Sequence, residues 1–200
     1  MAAKDDRRWN HNIHYHPLIL RSVPGGAQRA LDVGCGEGML ARGLRRTVPH
    51  VTGIDLHAPG IDQARDQAGD IDYIVGDFLT HPFEPASFDV VASVATLHHM
   101  DAAAALARMR DLLRPGGVLA VVGLARNTYP KDLPYVLAGV AANAALRAVK
   151  GYWEHPSPTV WPPPVTYPEM RALAARTLPG SRYRRHLLWR YSITWRKPRD

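Results

Sequence analysis

A glycine-rich segment that directly follows a short apolar stretch is the strongest constraint on the fold of this 200-residue chain. It has the sequence Leu-Asp-Val-Gly-Cys-Gly-Glu-Gly over residues 31–38, and Asp55 ends a second apolar stretch roughly twenty positions later. Because glycine has no Cβ, the backbone can turn tightly here and approach a bound molecule closely. The spacing indicates a site for a nucleotide-containing cofactor, in which the Asp55 carboxylate accepts hydrogen bonds from a ribose diol.

The spacing of the glycines narrows the choice of cofactor. They follow the pattern G-x-G-x-G, whereas the G-x-G-x-x-G pattern seats a pyrophosphate on a helix N-terminus. A dinucleotide is therefore disfavoured. Residues 31–38 instead resemble the motif hydrophobic-Asp-hydrophobic-Gly-x-Gly-x-Gly of the class I S-adenosylmethionine-dependent methyltransferases.

Three later segments resemble further landmarks of that family. Residues 75–78 are similar to its adenine-binding turn, residues 87–93 to its fourth strand, and residues 113–117 to the turn before its fifth strand. The resemblance covers about residues 28–125 and implies S-adenosyl-L-methionine as cofactor, with S-adenosyl-L-homocysteine as product. It implies cofactor contacts at Tyr15, Asp32, Gly34, Gly36, Gly38, Asp55, Leu56, Asp77, Phe78, Ser93 and Val94.

The order of apolar and helical stretches predicts an α/β fold. Apolar strands that lack polar alternation and are separated by helices indicate a parallel sheet covered on both faces, with ligands at the carboxyl ends of its strands. Alternation over residues 183–195 adds two terminal strands. We expect a doubly wound, Rossmann-like, seven-stranded sheet, mostly parallel with an antiparallel C-terminal strand. Its first five strands are predicted at 30–33, 51–55, 71–75, 90–94 and 118–123, and its main helices at 38–46, 61–68 and 101–113.

The chain is expected to form a single domain with four parts. Residues 133–152 are mostly apolar and helical, and we expect them to cover the substrate. They could instead pack as core, or lie on a membrane, although the dense Lys/Arg face of a membrane-associated helix is missing. The parts are an N-terminal cap segment (1–27), a cofactor-binding core (28–126), a substrate-cap insertion (127–168) and the last helix with the terminal strands (169–200).

Two adjacent histidines, His98 and His99, are the candidate catalytic residues. They follow the predicted fourth strand, where the family resemblance places residues beside the transferred methyl group. A histidine with its ordinary pKa of ~6.5 is largely neutral at pH 7 and can accept a proton from an acceptor atom. Neighbours in an extended chain point in opposite directions, so we expect only one to face the cleft, preferably His99. A structural role for both remains the alternative.

Other side chains are candidates for the substrate end of the site. The alternating histidines of residues 10–16 lack nearby cysteine or carboxylate ligands, so we predict no metal. A surface helix is the alternative for this segment, and burial is the commoner use of a tryptophan. The expected substrate contacts are His14, His16, Arg126, Trp153 and Trp161.

Charge and composition limit the possible partners. The net charge of +7 owes much to residues 182–199, which could attract nucleic acid, although the strand pattern favours solvent-facing arginines. The lone Cys35 permits no internal disulfide and is expected to pack under the glycine loop. Residues 1–8 are too polar for a signal peptide, and no apolar run has the length of a membrane span. We therefore expect a cytoplasmic protein, monomeric or homodimeric.

These observations favour an enzyme that transfers a methyl group to oxygen, nitrogen or carbon of a small molecule by in-line displacement. A nucleic-acid or protein methyltransferase is one alternative, although the Asn/Asp-Pro-Pro-aromatic sequence typical of base-amine methylation is missing after the fourth strand. A non-catalytic cofactor-binding partner subunit is the other, because the motifs report binding rather than turnover.

Overall fold

A computed structural model describes residues 8–67, 69–154 and 160–199 of the chain. Within them a seven-stranded sheet has the order β3-β2-β1-β4-β5-β7-β6, in which β7 is antiparallel to both of its neighbours. The expected mostly parallel sheet with an antiparallel C-terminal strand is confirmed. The strands are β1 Arg29–Val33, β2 His50–Asp55, β3 Asp72–Val75, β4 Phe88–Val94, β5 Leu113–Gly123, β6 Arg182–His186 and β7 Arg190–Arg196.

Helices cover both faces of the sheet, as predicted. One apolar cluster joins the sheet to α4 and α6 and contains the buried Leu106, Met109 and Met170. The second cluster, on the opposite face, joins it to α1, α2 and α3. The helices are α1 His16–Leu20, α2 Met39–Arg45, α3 Ala58–Asp66, α4 Ala102–Leu112, α5 Leu133–Lys150 and α6 Tyr167–Thr177, with 3-10 turns at Ile13–Tyr15 and Leu97–His99.

Helix α3 begins three residues before the predicted start at Ile61. The His57 side chain accepts a hydrogen bond from the Gly60 amide, and Pro59 lies in the first turn, where its missing N–H has no cost. A histidine cap is not among the usual start signals, which explains the misplaced boundary. The predicted end at Ala68 lies outside the described residues.

Strand β5 also begins earlier than predicted, because the Arg-Pro-Gly-Gly turn of residues 114–117 is absorbed into it. Leu113 pairs with Phe88 and Val118 pairs with Val90, so the turn bulges out between two paired positions. Gly116 within it has a φ of 79°, a value that favours glycine. The expected turn and the observed strand are thus both present.

The insertion after β5 contains the long helix α5, and most of its apolar side chains face outward. Gly139 is its buried residue, and a Cβ there would lie 3.0 Å from the Trp189 ring. Ala142 and Leu146 of α5 pack against the second cluster, so the helix contacts the core along one face. Five of its large apolar side chains are exposed: Leu133, Tyr135, Leu137, Val140 and Val149. Residues 155–159 of the insertion lie outside the described part of the chain.

Arg185 of β6 connects the insertion to the sheet. Its guanidinium pairs with Asp132, which precedes α5, and hydrogen-bonds Asn127 at 3.0 Å. It also lies over the rings of Tyr135 and Tyr167, at 4.2 and 3.9 Å from their centroids. This arginine of the basic C-terminal segment therefore makes its contacts within the protein. None of the helices in the described ranges is both long and apolar enough to cross a membrane.

Candidate active site

A cavity of about 760 Å³ opens at the carboxyl ends of β1, β2, β3 and β4. This is the edge at which ligands bind in open α/β sheets, because the strand order reverses there and the chain leaves a crevice. The glycine loop, the ends of β2 and β3, and the turn after β4 form its wall. Most of the residues that the sequence predicts for cofactor binding meet here: Asp32, Gly34, Gly36, Asp55, Leu56, Asp77, Phe78 and Val94.

The glycine loop fits closely against its neighbours. The Gly34 amide donates to the Ile54 carbonyl at 2.8 Å, which fixes the loop to β2. Gly34 has a φ of 72°, and a Cβ there would lie 2.1 Å from Thr96 Oγ1. Only glycine meets both requirements without strain. The Gly36 amide donates to Asp55 Oδ2 at 2.9 Å, so the expected ribose ligand also holds the loop.

Carboxylates face the cavity from three strand ends. Asp55 Oδ1 accepts from the His57 amide and Asp77 Oδ1 from the Leu79 amide, each at 2.8 Å, which leaves acceptor capacity on both. Asp32 differs, because its Oδ2 is buried without a hydrogen-bond partner. Burial, assisted by the nearby Asp55 charge, raises the pKa of Asp32 to about 7. A buried carboxyl oxygen without a partner at the wall suits a ligand that brings a cation or a hydrogen-bond donor.

Apolar side chains also line this part of the cavity. Leu56, at the end of β2, is 69% exposed although it is a large aliphatic residue, and it lines the cavity. Phe78 is buried beside Asp77 on the same wall. Cys35 is buried beneath the loop, and burial raises the pKa of its thiol, which is consistent with the expected packing role rather than with a nucleophile.

Similarity to known proteins decides the family. The profile of a family described as a methyltransferase domain matches residues 31–121. An uncharacterized methyltransferase of Mycobacterium tuberculosis is 43% identical over 196 residues, which cover 96% of this chain and 99% of that protein. The chain belongs to the class I S-adenosylmethionine-dependent methyltransferases. S-adenosylmethionine is accordingly the cofactor of this methyltransferase. The unpartnered Asp32 carboxyl and the glycine cradle fit it, because the cofactor carries an ammonium group and a sulfonium.

Further relatives carry more specific names. A ubiquinone biosynthesis O-methyltransferase of Xylella fastidiosa is 36% identical over 137 residues, covering 64% of this methyltransferase and 53% of that protein. Among solved structures, a Pyrococcus horikoshii protein superposes with a TM-score of 0.67 at 18% identity, covering 92% of this chain and 87% of the other. A phosphoethanolamine N-methyltransferase of Haemonchus contortus, in complex with S-adenosylhomocysteine, gives a TM-score of 0.65 at 18% identity over 92% and 52% of the two chains. At that identity the two structures show a shared fold.

His98 and His99 both line the methyltransferase cavity, so the expectation that only one faces it is wrong. The reason is local: residues 97–99 form a 3-10 turn rather than extended chain, and the two rings lie 4.0 Å apart. Burial, together with the neighbouring His99 and Arg190, lowers the pKa of His98 to about 4. Burial also lowers the pKa of His99, against an opposing effect of Asp55. Both side chains are therefore neutral at pH 7.

Two segments distant in sequence close the other side of the cavity. Asn10, His11, Asn12, Ile13 and His16 line it from the N-terminal segment, and residues 152–154 line it from the end of the insertion. The Trp153 amide donates to the Trp9 carbonyl at 2.8 Å, and a His11–Asn143 hydrogen bond of 2.8 Å joins the N-terminal segment to α5. Of the predicted substrate contacts, His16 and Trp153 lie on this wall.

The remaining predicted site residues lie off the cavity wall. The Tyr15 hydroxyl donates to the Leu187 carbonyl at 2.7 Å, and the Ser93 hydroxyl donates to the Val33 carbonyl between two buried strands. His14 Nδ1 accepts from the Trp9 indole. The structure also places three others away from it: Gly38 at the N-cap of α2, and Arg126 and Trp161 at the exposed surface.

One wall residue, Arg190, was missed by sequence reasoning. It is 6% exposed and begins β7. The alternation of the C-terminal strands predicts arginines that face water, and nothing in the pattern separates this one from its neighbours. The described residues contain no cluster of three or more His, Cys, Asp or Glu side chains that could hold a metal ion.

Proposed function

We propose that this enzyme methylates an oxygen, nitrogen or carbon atom of a small molecule by in-line displacement at the methyl group of S-adenosylmethionine. The observation that carries the proposal is the make-up and size of the cavity. Residues 10–13, His16 and residues 152–154 line the same space as the glycine loop, and its volume of about 760 Å³ falls within the range of small-molecule sites. A cofactor and a small acceptor fit such a space better than a duplex or a folded protein does.

The cofactor supplies an electrophilic methyl group on its sulfonium. The protein must therefore bind and orient the two reactants and exclude water, and positioning alone can supply much of the rate. We assign Asp55 to the ribose hydroxyls, Asp77 and Phe78 to the adenine, and Asp32 to the amino acid end. These assignments agree with the free acceptor capacity of the three carboxylates.

We assign His99 as the group that accepts a proton where the acceptor atom carries one. Its lowered pKa keeps it neutral at pH 7 and also makes it a weak base, which suits an acidic proton such as that of a phenol. His98, with a pKa of about 4, is a still weaker base, and its Nδ1 is buried without a partner. We therefore give His98 a positioning role toward the acceptor.

Two observations weigh against a nucleic-acid substrate. Arg185 is paired with Asp132 and stacked on tyrosines, so its charge is not available to a phosphate backbone. The exposed Arg182 and Arg184 lie on β6, the edge strand of the sheet, and β4, β5 and β7 separate this strand from β1 and the glycine loop. The name of one relative adds support, since the ubiquinone biosynthesis O-methyltransferase takes part in the biosynthesis of a small molecule.

Transfer of a labelled methyl group tests the proposal. The enzyme would be incubated with labelled S-adenosylmethionine and, separately, with phenols, carboxylic acids, amines, total RNA and a protein mixture. We expect label in a low-molecular-weight product with at least one small acceptor and none on the macromolecules. Label that appears only on RNA or protein, or cofactor binding without transfer to any acceptor, would contradict it.

A further inference from the structure

Arg190 places a buried positive charge on the wall of the cavity. It is the only Lys or Arg on the part of that wall that the structure describes. It precedes Tyr191, which pairs with Gly123 at the end of β5, so it lies at the same sheet edge as the glycine loop. In the strand order, however, β4 and β5 separate β7 from β1. Three strand spacings put Arg190 roughly 14 Å from the strand that carries the glycine loop.

The hydrogen-bond partners of this guanidinium are all neutral. Its Nε and Nη2 donate to Asn12 Oδ1 at 3.1 and 2.7 Å, and its Nη1 donates to the carbonyls of Leu188 and Trp189 at 3.2 and 3.4 Å. Among the described residues no carboxylate forms an ion pair with it. Burial lowers the pKa of Arg190 to about 10, so it remains charged at pH 7. A buried charge without a counter-ion is costly unless a ligand supplies one.

The turn before Arg190 has a strained backbone. Leu188 and Trp189 both have a φ of 55°, a conformation that residues with a Cβ seldom adopt. The turn is held in place by the Tyr15 hydroxyl, which donates to Leu187 O, and by Trp189, which lies against Gly139 of α5. Strained residues that the surrounding structure holds in place are concentrated at ligand sites.

We propose that Arg190, oriented by Asn12, binds an anionic group of the acceptor substrate, a carboxylate or phosphate oxyanion, beside His98. The inference rests on the proposed small-molecule function and names the substrate class of that site. His11 and His98 line the same cavity as Arg190, and the Arg190 charge contributes to the lowering of both their pKa values. Neutral imidazoles leave the guanidinium as the one full positive charge that an incoming anion meets there.

The S-adenosylmethionine carboxylate is the other anion that Arg190 could bind, and the test separates the two. The probes are benzoate, octanoate and phenyl phosphate, with benzamide and octanamide as neutral counterparts of the two carboxylates. Binding to the complex with S-adenosylhomocysteine would be measured by calorimetry for the wild type, Arg190→Met, Arg190→Lys and Asn12→Ala. Arg184→Met is the matched control, because Arg184 is an exposed arginine of the same hairpin.

We expect at least one anion to bind the wild-type complex 10- to 100-fold more tightly than a neutral probe, the range for a charge-assisted contact. Arg190→Met should remove this preference, Arg190→Lys should retain part of it, and Arg184→Met should leave it unchanged. Affinity for S-adenosylhomocysteine should stay within about twofold of wild type in all four variants, which also shows that each variant is folded.

Three results would overturn the inference: no preference for anions in the wild type, a preference that survives Arg190→Met, or loss of S-adenosylhomocysteine binding in that variant. The last would assign Arg190 to the cofactor carboxylate. Because the readout is binding, it is independent of the methyl-transfer assay. Methyl transfer to small neutral acceptors without any anion binding would contradict this inference alone. Anion binding together with methyl transfer only to RNA would contradict the proposed function.

Discussion

The two halves of the cavity are built in different ways. The cofactor half comes from consecutive strand ends, and backbone groups hold it: amides of the loops after β1, β2 and β3 donate to Ile54 O, Asp55 and Asp77. The half assigned to the acceptor combines residues 10–13, His16, residues 152–154 and Arg190, which meet only through tertiary contacts. The first half has a sequence motif because its geometry is local, whereas the second can vary its side chains without disturbing the sheet.

The largest effect is expected at the glycine loop, on the side of the cavity assigned to the cofactor. Gly34→Ala adds a Cβ at positive φ within 2.1 Å of Thr96 Oγ1, so we expect a loss of about 2–5 kcal/mol in the free energy of unfolding. Urea unfolding measures it, and Gly25→Ala is the control, because a Cβ there meets nothing within 4 Å. A stability equal to wild type for Gly34→Ala would show that the loop can shift to accept a Cβ.

His99→Asn should separate turnover from binding. For an acceptor whose reacting atom carries a proton, we expect kcat to fall by about 10²-fold with unchanged affinity for S-adenosylhomocysteine. In the wild type, protonation of the base should reduce kcat only as the pH falls below ~6.5, because burial lowers the pKa of His99 from that value. Steady-state kinetics across pH measures both effects.

His50→Asn is the matched control for His99, since His50 is an exposed histidine at the start of β2. Equal turnover in His99→Asn would leave that side chain with a packing role. An acid limb centred above pH 6.5 would assign the titration to a different group.

Asp55→Ala should weaken cofactor binding. The variant loses the proposed ribose ligand and the acceptor of the Gly36 amide, so we expect affinity for S-adenosylhomocysteine to fall by about 1.5–3 kcal/mol. Calorimetry measures it, with Asp62→Ala as the control, because Asp62 forms an exposed pair with Arg65 on α3. Unchanged affinity would refute the ribose assignment.

The smallest effect is expected at the contact between the two segments that close the acceptor half. Asn143→Ala removes the hydrogen bond to His11, a contact worth about 0.5–1.5 kcal/mol. We expect a two- to tenfold rise in the KM of the acceptor and no change in cofactor affinity. Val149→Ala, an exposed position on the same helix, should change neither. A shift in cofactor affinity for Asn143→Ala would show that the two halves are coupled.

Sequence reasoning was sufficient where a local motif determines the geometry. The glycine loop, Asp55 at the end of β2 and Asp77 after β3 follow from short-range rules, and the structure places them on the cavity wall. Tyr15 was expected at the cofactor from the family resemblance, yet its hydroxyl donates to the Leu187 carbonyl. Side-chain direction in an irregular segment depends on packing against distant residues, which a local pattern does not encode.

Arg190 is the opposite case: it was not predicted at the site, yet it lies on the cavity wall. Its period-two strand pattern is that of an ordinary edge hairpin, and what makes it part of the cavity is the turn at Leu188 and Trp189 together with Asn12. Neither signal lies within the strand itself. The pairing of His98 with His99 was misjudged for a related reason, because a 3-10 turn replaced the expected extended chain.

The contact between Asn12 and Arg190 joins positions 178 apart in the chain. Because this contact spans so much of the chain, a perturbation that loosens the β6–β7 hairpin would separate Arg190 from Asn12 while the hydrogen bond between the Gly36 amide and Asp55 stays in place. The two sides of the cavity therefore differ in how far a local disturbance can spread.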